Sequence, residues 1–431
     1  MSEEFLHFLW QYKLYKPGKF YTCDGQLLEM VHPGLPNGSS EESGDAGPDF
    51  FNAKIKFDGT LWAGNVEIHH RASDWFLHGH HQDPLYDNVI LHVVGKHDED
   101  TISSKGTYLP VWEMQVDNAL LDRYQRLFAQ NGRIPCEKDI HTVSSIEISS
   151  WTERMLAEKL ERKTADIEKL LEGRQNDWNE VFYIVLARNF GFGLNGEPFE
   201  LLARQTPWTL VGRNADSQVK LEALFLGQAG FLDKLMYEDE HSALLAREYK
   251  ILKQKYSLET LPEYLWKFLR LRPVNFPTIR LVQLAALFSH RATLLDKLLE
   301  QETLSAVRDQ LQARPLPYWE THYRPGVQGN KRSKKLGRQA VDLIIINTLV
   351  PFFFAYGRLR GKPRVEQKAL EWLSELPPEK NRVIKNWELV LPDFDISSAA
   401  ESQALVHLKR HYCDHHKCLR CRIGHRIIAL K

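Results

Sequence analysis

The chain has 431 residues, of which 43% are hydrophobic and 11% aromatic, and this is enough apolar material for two or more domains. Its 56 basic and 56 acidic residues cancel, which excludes attraction to nucleic acid or membranes by net charge. Any such affinity must come from local patches. Five cysteines, an odd number, argue against a disulfide framework and predict a reducing, cytoplasmic location.

The N-terminus and the longest apolar segment favour a soluble protein. Glu3 and Glu4 occupy positions where a signal peptide carries basic residues. The longest apolar run, Leu343–Gly357, is interrupted by polar residues and is shorter than the ~20 residues that cross a bilayer. We therefore expect a mature N-terminus and no membrane partner.

Apolar spacing predicts an α+β protein. A helix is expected within residues 3–15, a polar loop within residues 32–49, and strands around residues 27–31, 51–57, 61–70 and 88–94. From about residue 145 the apolar residues recur at i, i+3 and i+4, which predicts helices. The predicted domains are an α/β domain (1–144), an α-helical domain (145–404) and a cysteine-rich segment (405–431) that packs back on the chain.

Asp58-Gly59 is a strong signal for a tight turn between two antiparallel strands. Pairing outward from this turn brings Asp49 close to Glu67 and His69. Glu67 and His69 are two residues apart and project from one face of their strand, whereas a single bulge decides whether Asp49 shares that face.

Two neighbouring carboxylates repel each other as anions, and a bound divalent cation relieves the repulsion. Mg²⁺ or Mn²⁺ suits Asp49 and Glu67 as ligands. His69 is then a candidate to orient or deprotonate a water molecule for attack on a phosphodiester. The hairpin therefore predicts a metal-dependent hydrolase.

The residues of this hairpin resemble the PD-(D/E)XK nuclease superfamily. Pro48-Asp49 matches the P-D of its motif, and Glu67-x-His69 stands at the position of (D/E)-x-K. The resemblance implies a restriction-endonuclease-like mixed sheet with flanking helices. It also implies cleavage of nucleic acid, with Asp49, Glu67 and His69 as the catalytic residues.

The chain departs from the superfamily at one important position, because His69 stands where the motif has lysine. The resemblance leaves open whether water activation is retained by His69, moves to Lys54 or Lys56, or is lost. The superfamily often has a further acid on the first helix, for which Glu3 or Glu4 is the candidate. A catalytically degenerate module that binds nucleic acid or a protein partner is therefore the alternative function.

Histidines are crowded after the hairpin. Seven of the 18 histidines lie within 29 positions: His69, His70, His78, His80, His81, His92 and His97. Imidazole is a preferred ligand of Zn²⁺ and also binds Mn²⁺, so a metal-dependent hydrolase of a small substrate is a third hypothesis. His92 lies in an apolar run and is predicted to be a hydrogen-bonded core histidine instead of a ligand.

The C-terminal segment contains Cys413-x₄-Cys418-x₂-Cys421. Three thiols within nine residues are typical of a Zn²⁺ or iron–sulfur site, which needs a fourth ligand. Cys136 is the first candidate for this ligand, followed by Cys23 and the flanking histidines. Unligated, reduced cysteines are the alternative.

Basic residues are concentrated between residues 320 and 370, with 11 Lys or Arg against three acids. The densest part contains the candidate nucleic-acid-binding residues Lys331, Arg332, Lys334, Lys335 and Arg338. Neighbouring aromatic residues, among them Trp319 and Tyr323, are candidates for base stacking. A solvated basic surface is the alternative interpretation.

The chain as a whole resembles a bacterial family classified only as a domain of unknown function. The resemblance rests on stretches such as GNVEIHHRASDW, YDNVILHVV, RPVNFPTIRLVQLA and YCDHHKCLRCRIG. It implies a fold and domain boundaries but no activity. Of these stretches, RPVNFPTIR (272–280) has arginines that fit either phosphate or an internal carboxylate.

Overall fold

The computed structural model describes residues 2–37, 47–129, 132–233, 239–291 and 293–430. Half of the predicted polar loop, residues 38–46, lies outside these ranges. The chain divides into two compact units. Unit 1 comprises Met1–Trp151, Leu389–Asp393 and Leu408–Lys431, and unit 2 comprises Thr152–Glu388 and Phe394–His407. A mixed sheet in the N-terminal part and a mostly helical remainder confirm the α+β class.

The described strands are β1 (Phe20–Tyr21), β2 (Leu27–His32), β3 (Leu35–Pro36), β4 (Phe50–Phe57), β5 (Thr60–Arg71), β6 (Val89–Lys96), β7 (Val111–Glu113), β8 (His322–Arg324) and β9 (Val327–Gln328). The first seven form one sheet with the order β1-β2-β4-β5-β6-β7, and β3 pairs with β4. Strands β4 and β5 are antiparallel, whereas β5, β6 and β7 run parallel.

The described helices are α1 (Glu3–Tyr12), α2 (Asp74–Leu77), α3 (Asn118–Ala129), α4 (Ser145–Glu172), α5 (Trp178–Phe190), α6 (Gly196–Gln205), α7 (Trp208–Arg213), α8 (Gln218–Gln228), α9 (Glu240–Tyr256), α10 (Pro277–Phe288), α11 (Leu294–Glu300), α12 (Leu304–Gln310), α13 (Arg338–Ile344), α14 (Val350–Leu359), α15 (Pro363–Glu375), α16 (Arg382–Val390), α17 (Ala399–His411) and α18 (Arg422–Ile428). A π-helical turn, Ile345–Leu349, joins α13 to α14.

The predicted hairpin is present as β4 and β5, with Asp58 and Gly59 both at positive φ in the turn. A bulge shifts the pairing between Phe50 and Ala53. Asn52 in this bulge has a φ of 58°, in the left-handed region that asparagine tolerates better than most residues. The shift makes Val66 the partner of Phe50. It is the kind of irregularity that decides on which face of the sheet the Asp49 side chain lies.

Helix α1 packs its apolar face into unit 1. Phe5, Leu6, Leu9 and Trp10 on this helix are fully buried, which matches the predicted helical spacing. The Ser2 side chain accepts a hydrogen bond from the Phe5 backbone N–H and caps the helix. Helix α1 contacts β5, so its first turn lies beside the strand that carries Glu67 and His69.

Unit 2 is organised around one large apolar cluster formed by its helices. The segment Arg338–Leu359 is long and apolar enough to cross a membrane by length and composition, and 78% of its most apolar window is buried. Core helices of soluble proteins meet the same criterion. Composition therefore does not distinguish a core helix from a membrane span here.

Candidate metal centre

Two carboxylates connect the strands of the hairpin at its open end. The Asp49 backbone N–H donates to Oε2 of Glu67 at 2.9 Å, and the Ile68 backbone N–H donates to Oδ2 of Asp49 at 2.8 Å. Only 5% of the Glu67 surface is exposed. The two carboxylates are thus held close to each other, each in a fixed orientation.

The loop after β5 brings two further histidines, His78 and His80, to His69. The Asp74 side chain accepts a hydrogen bond from the Arg71 backbone N–H at 2.9 Å, where the chain turns into α2. Gly79 has a φ of 76°, so it reverses the chain between His78 and His80 in a conformation that disfavours residues with a Cβ atom.

Glu67, His78 and His80 lie around His69. The Glu67 Oε1 atom lies 3.3 Å from Nε2 of His80 and 3.5 Å from Nε2 of His69. The Nδ1 atom of His78 lies 3.1 Å from Nε2 of His69. One nitrogen from each of the three imidazoles lies within 4.8 Å of the others.

These separations fit a transition-metal ion. Ligand atoms bound at about 2.0–2.1 Å to a tetrahedral Zn²⁺ lie roughly 3.3 Å apart. The His78–His69, Glu67–His80 and Glu67–His69 distances of 3.1, 3.3 and 3.5 Å are close to this value. Three imidazoles and one carboxylate suit Zn²⁺ or Mn²⁺ better than Mg²⁺, which prefers oxygen ligands and retains water.

A second layer of hydrogen bonds orients His69. Its Nδ1 atom lies 2.8 Å from Nε2 of His92, whose Nδ1 atom lies 3.4 Å from Oγ1 of Thr101. If Nε2 of His69 binds a metal, its Nδ1–H donates to His92, and His92 in turn donates to Thr101. His92 is fully buried, which confirms the prediction of a hydrogen-bonded core histidine.

Burial favours the neutral form of two histidines of this group, His69 and His80, and of the neighbouring His92. It lowers the pKa of His69 to about 2, with a further contribution from His92 and His80. Burial likewise lowers the pKa of His92 to about 3 and also lowers the pKa of His80. A neutral imidazole has a lone pair available for a metal ion. Burial and the charge of Asp49 raise the pKa of Glu67 to about 9, as expected for a carboxylate that lacks a cationic partner.

Acidic and basic groups on α1 complete the surroundings. The Oε1 atom of Glu3 lies 4.0 Å from Nε2 of His69, and Nε2 of His7 lies 3.2 Å from Oδ2 of Asp49. Burial lowers the pKa of His7, but its hydrogen bond to Asp49 and the charge of Asp49 outweigh burial and raise it overall. Sequence reasoning missed His7, although Glu3 and His7 are four residues apart and so share one face of α1.

The candidate ligands of the sequence analysis thus meet in one place, but their pairing differs from the expected one. Glu67 and His69 contact the histidines of the loop, while the Asp49 carboxylate contacts His7 and the Ile68 backbone. Whether Asp49 binds a metal stays a prediction.

The four candidate cysteine ligands all belong to unit 1. Cys136, Cys413, Cys418 and Cys421 are buried, whereas Cys23 is exposed. Burial raises the pKa of the Cys136 thiol, and the nearby Cys421 and Cys418 raise it further. Among the described residues no three of these sulfurs lie within 4.8 Å of one another, a spacing that only the histidine group reaches.

The basic segment of unit 2 is mostly exposed. Lys331, Arg332, Lys335 and Arg338 face solvent, but only 4% of Lys334 is exposed. The Lys334 ammonium donates to the backbone carbonyls of Glu320 and Arg332. Trp319 is fully buried and donates its indole N–H to Glu222, so its predicted role in base stacking is wrong.

A comparison with protein families matches residues 3–382 to the family described as Protein of unknown function (DUF2851). No curated protein and no solved structure gives a significant match. The resemblance to a family of unknown function is therefore confirmed, whereas the nuclease resemblance and the bacterial origin stay predictions. The family description assigns no activity, so the function is argued from the residues.

Proposed function

We propose that this chain, which belongs to the DUF2851 family, is a metal-dependent hydrolase of phosphodiester bonds in nucleic acid. Glu67, His69, His78 and His80 would hold a Zn²⁺ or Mn²⁺ ion. The observation that carries the proposal is that three imidazole nitrogens lie within 4.8 Å of one another, with Oε1 of Glu67 at 3.3 Å from His80 and 3.5 Å from His69. Two of these imidazoles, His69 and His80, are buried and have lowered pKa values, and a neutral imidazole has the lone pair that a cation requires.

The residues around the ion would have different roles in hydrolysis. A bound divalent ion would polarise the phosphate and lower the pKa of a water molecule. Asp49, paired with His7, and the more exposed Glu3 are the groups beside the ion that can accept a proton. His69 would serve as a ligand and not as a base. Its Nδ1 atom is bonded to His92, and its Nε2 atom faces the candidate ligand His78.

The order of elements supports a nuclease. Helix α1, the hairpin β4–β5, the short helix α2 and the parallel strand β6 follow the order that the PD-(D/E)XK resemblance implies. The acids Asp49 and Glu67 lie at the open end of the hairpin. A histidine at position 69, where the motif has lysine, would add a ligand to the ion, and the ion would act as a Lewis acid on the phosphate.

A non-catalytic module that binds nucleic acid or protein is the second candidate. Four protein ligands fill a tetrahedral Zn²⁺ site, and closed sites of this kind are typical of structural metals. Catalysis requires a further open coordination position, or a ligand that leaves.

Cleavage assays on the intact chain test the proposal. Metal-free protein is reloaded with Zn²⁺ or Mn²⁺ and mixed with labelled single- and double-stranded DNA and RNA. We expect cleavage that falls at least a hundredfold in Glu67→Gln and persists in His70→Ala, which removes an exposed histidine from the opposite face of β5. Salt-dependent binding without cleavage selects the second candidate. Hydrolysis of a small aryl phosphodiester but not of polymers selects the histidine-based hydrolase of small substrates.

The cysteines support a separate, structural role. We propose that Cys136, Cys413, Cys418 and Cys421 hold Zn²⁺ or an iron–sulfur cluster that fastens the C-terminal segment to the N-terminal part of unit 1. Four of five cysteines are buried in one unit and raise one another's pKa, which favours a cation among them. Four thiolates are a complete ligand set for either centre.

A further inference from the structure

A cavity of about 590 Å³ lies within unit 2, a size typical of small-molecule sites. It is lined by two segments that the sequence analysis singled out independently, the 272–280 stretch and the basic 331–338 stretch. Their contributions include four cationic side chains: Arg280, Arg332, Lys334 and Lys335. No Asp or Glu is among the described residues that line the cavity. Its electrostatic potential is therefore positive.

Arg280 is the central cation of this cavity. Its guanidinium donates to Oε1 of Gln283 at 2.9 Å and to Oδ1 of Asn275 at 2.7 Å, which are both neutral amide oxygens. It also lies over the Phe192 ring at 4.1 Å. Within the described ranges it forms no ion pair with a carboxylate. Burial lowers the pKa of Arg280 to about 10, so the side chain keeps its charge at neutral pH.

An internal carboxylate was the alternative partner for this arginine, and the described residues provide none. A guanidinium has five N–H donors, and the two amide oxygens engage only some of them. A half-buried cation with free donors is costly unless an anion meets it, and a planar fork of donors suits phosphate.

The basic loop opposite Arg280 is fixed in place by hydrogen bonds. Lys334 donates to the carbonyls of Glu320 at 3.0 Å and Arg332 at 2.9 Å, and Gln283 donates to the Lys334 carbonyl at 2.7 Å. Lys334 is therefore a structural support for the loop. Its neighbours on either side in the lining, Arg332 and Lys335, remain exposed and have no carboxylate partner within the described ranges.

Apolar residues also line the cavity. They include Phe199, Leu271, Val274 and Leu343, beside polar side chains such as Asn195 and Gln339. A cavity lined by both cationic and apolar residues fits a ligand that has an anionic group joined to a flat, weakly polar group. An inorganic anion would contact only the cationic and polar residues.

We infer that this cavity binds the phosphate group of a nucleotide-sized ligand through Arg280, Arg332 and Lys335. The inference is independent of the proposed hydrolase, because it concerns other residues in the other unit. The ligand is either a free nucleotide or the phosphorylated end of a nucleic-acid strand, since both present the same chemistry.

Calorimetric titration of the intact chain tests this inference. The probes are adenosine 5′-monophosphate, adenosine, and a short oligonucleotide with and without a 5′-phosphate. We expect a phosphorylated probe to bind at least tenfold more tightly than its unphosphorylated counterpart, with an affinity that falls as salt rises. Tighter binding of the phosphorylated oligonucleotide than of the mononucleotide would identify a strand end as the ligand.

Substitutions test whether the phosphorylated probe binds in this cavity. Arg280→Gln and Lys335→Gln should each lower the affinity for the phosphorylated probe at least tenfold. Lys335 is exposed, so its substitution should not disturb the packing of the core. Arg360→Gln removes an exposed charge directly after α14, outside the cavity lining, and should bind like the wild type. Glu67→Gln should also bind normally, which separates this result from the hydrolase assay. Equal binding of phosphorylated and unphosphorylated probes, or unchanged affinity in both cavity variants, would overturn the inference.

Discussion

The Oε1 atom of Glu67 lies 3.3 Å from Nε2 of His80, and both side chains are buried. The His80 Nε2 atom has no hydrogen-bond partner among the described residues. A buried carboxylate that faces an unbonded imidazole nitrogen is costly in a protein interior. A metal ion between the two removes this cost, and the following predictions depend on that interpretation.

The metal-free protein should lose stability as the pH rises from 7 to 9. The pKa of Glu67 is about 9 in the folded chain, above its ordinary value of 4.5, so this group binds more protons in the folded state than in the unfolded state between these values. Its contribution to the free energy of unfolding therefore falls as the pH rises. The lowered pKa values of His69, His80 and His92 act in the opposite direction only below about their ordinary value of 6.5, so the decline is expected above pH 7. Glu67→Gln should flatten this decline and raise the melting temperature of the metal-free protein at pH 8. Parallel melting curves for wild type and variant across this range would contradict the assignment.

His92 should tune the metal site without binding the ion. His92→Leu removes the partner of His69 Nδ1, and loss of such outer hydrogen bonds typically weakens metal affinity 10–100-fold. His92→Gln retains an acceptor and should recover part of the affinity. Competition titration against a chelator of known affinity measures both variants. Equal affinity of the leucine variant and the wild type would show that His92 only fills the core.

Gly79 should matter for the metal as well as for the backbone. Gly79→Ala forces alanine into a left-handed conformation that costs roughly 1–2 kcal/mol, and the cheapest relief is to move His78 or His80. Gly106 also has a φ of 76° and open space around it, so Gly106→Ala is a matched control. We expect both variants to melt at similarly reduced temperatures, and only Gly79→Ala to lose metal affinity. If the two affinities stay equal, the turn at Gly79 does not position the ligands.

The cysteine site has an internal control. Serine variants of Cys136, Cys413, Cys418 or Cys421 should lose one bound metal centre and lower the melting temperature, whereas Cys23→Ser should do neither, because Cys23 is exposed. A brown visible absorbance that disappears in the four variants would identify iron–sulfur, and zinc in elemental analysis would identify Zn²⁺. Retention of all metal in the Cys136 variant would exclude it as the fourth ligand.

Local patterns were sufficient to predict much of the fold. The Asp58-Gly59 turn and the alternation around it predicted the hairpin, because turn geometry and side-chain periodicity are short-range properties. The bulge at Asn52 could not be predicted from the sequence, since the extra residue of a bulge can lie at any of several neighbouring positions. The face of the sheet on which Asp49 lies depends on that bulge.

Only part of the candidate metal centre could be predicted from the sequence. The crowding of histidines indicated a metal, and Glu67 and His69 were identified by their spacing on one strand. The contributions of His78 and His80 depend on the path of an irregular loop through Gly79, and that of His7 depends on how α1 packs against β5. Such tertiary relations leave no periodic signal in a single sequence. The meeting of residues 272–280 with residues 331–338 in one cavity is of the same kind.

The most direct test of the account is the metal content of a His78→Ala/His80→Ala double variant, measured by elemental analysis beside the wild type and His70→Ala. The three proteins share the cysteine site, so it cancels in the comparison. We predict that the double variant contains one transition-metal ion per chain fewer than the other two. Equal metal content in all three proteins would contradict the proposed metal centre at Glu67, His69, His78 and His80.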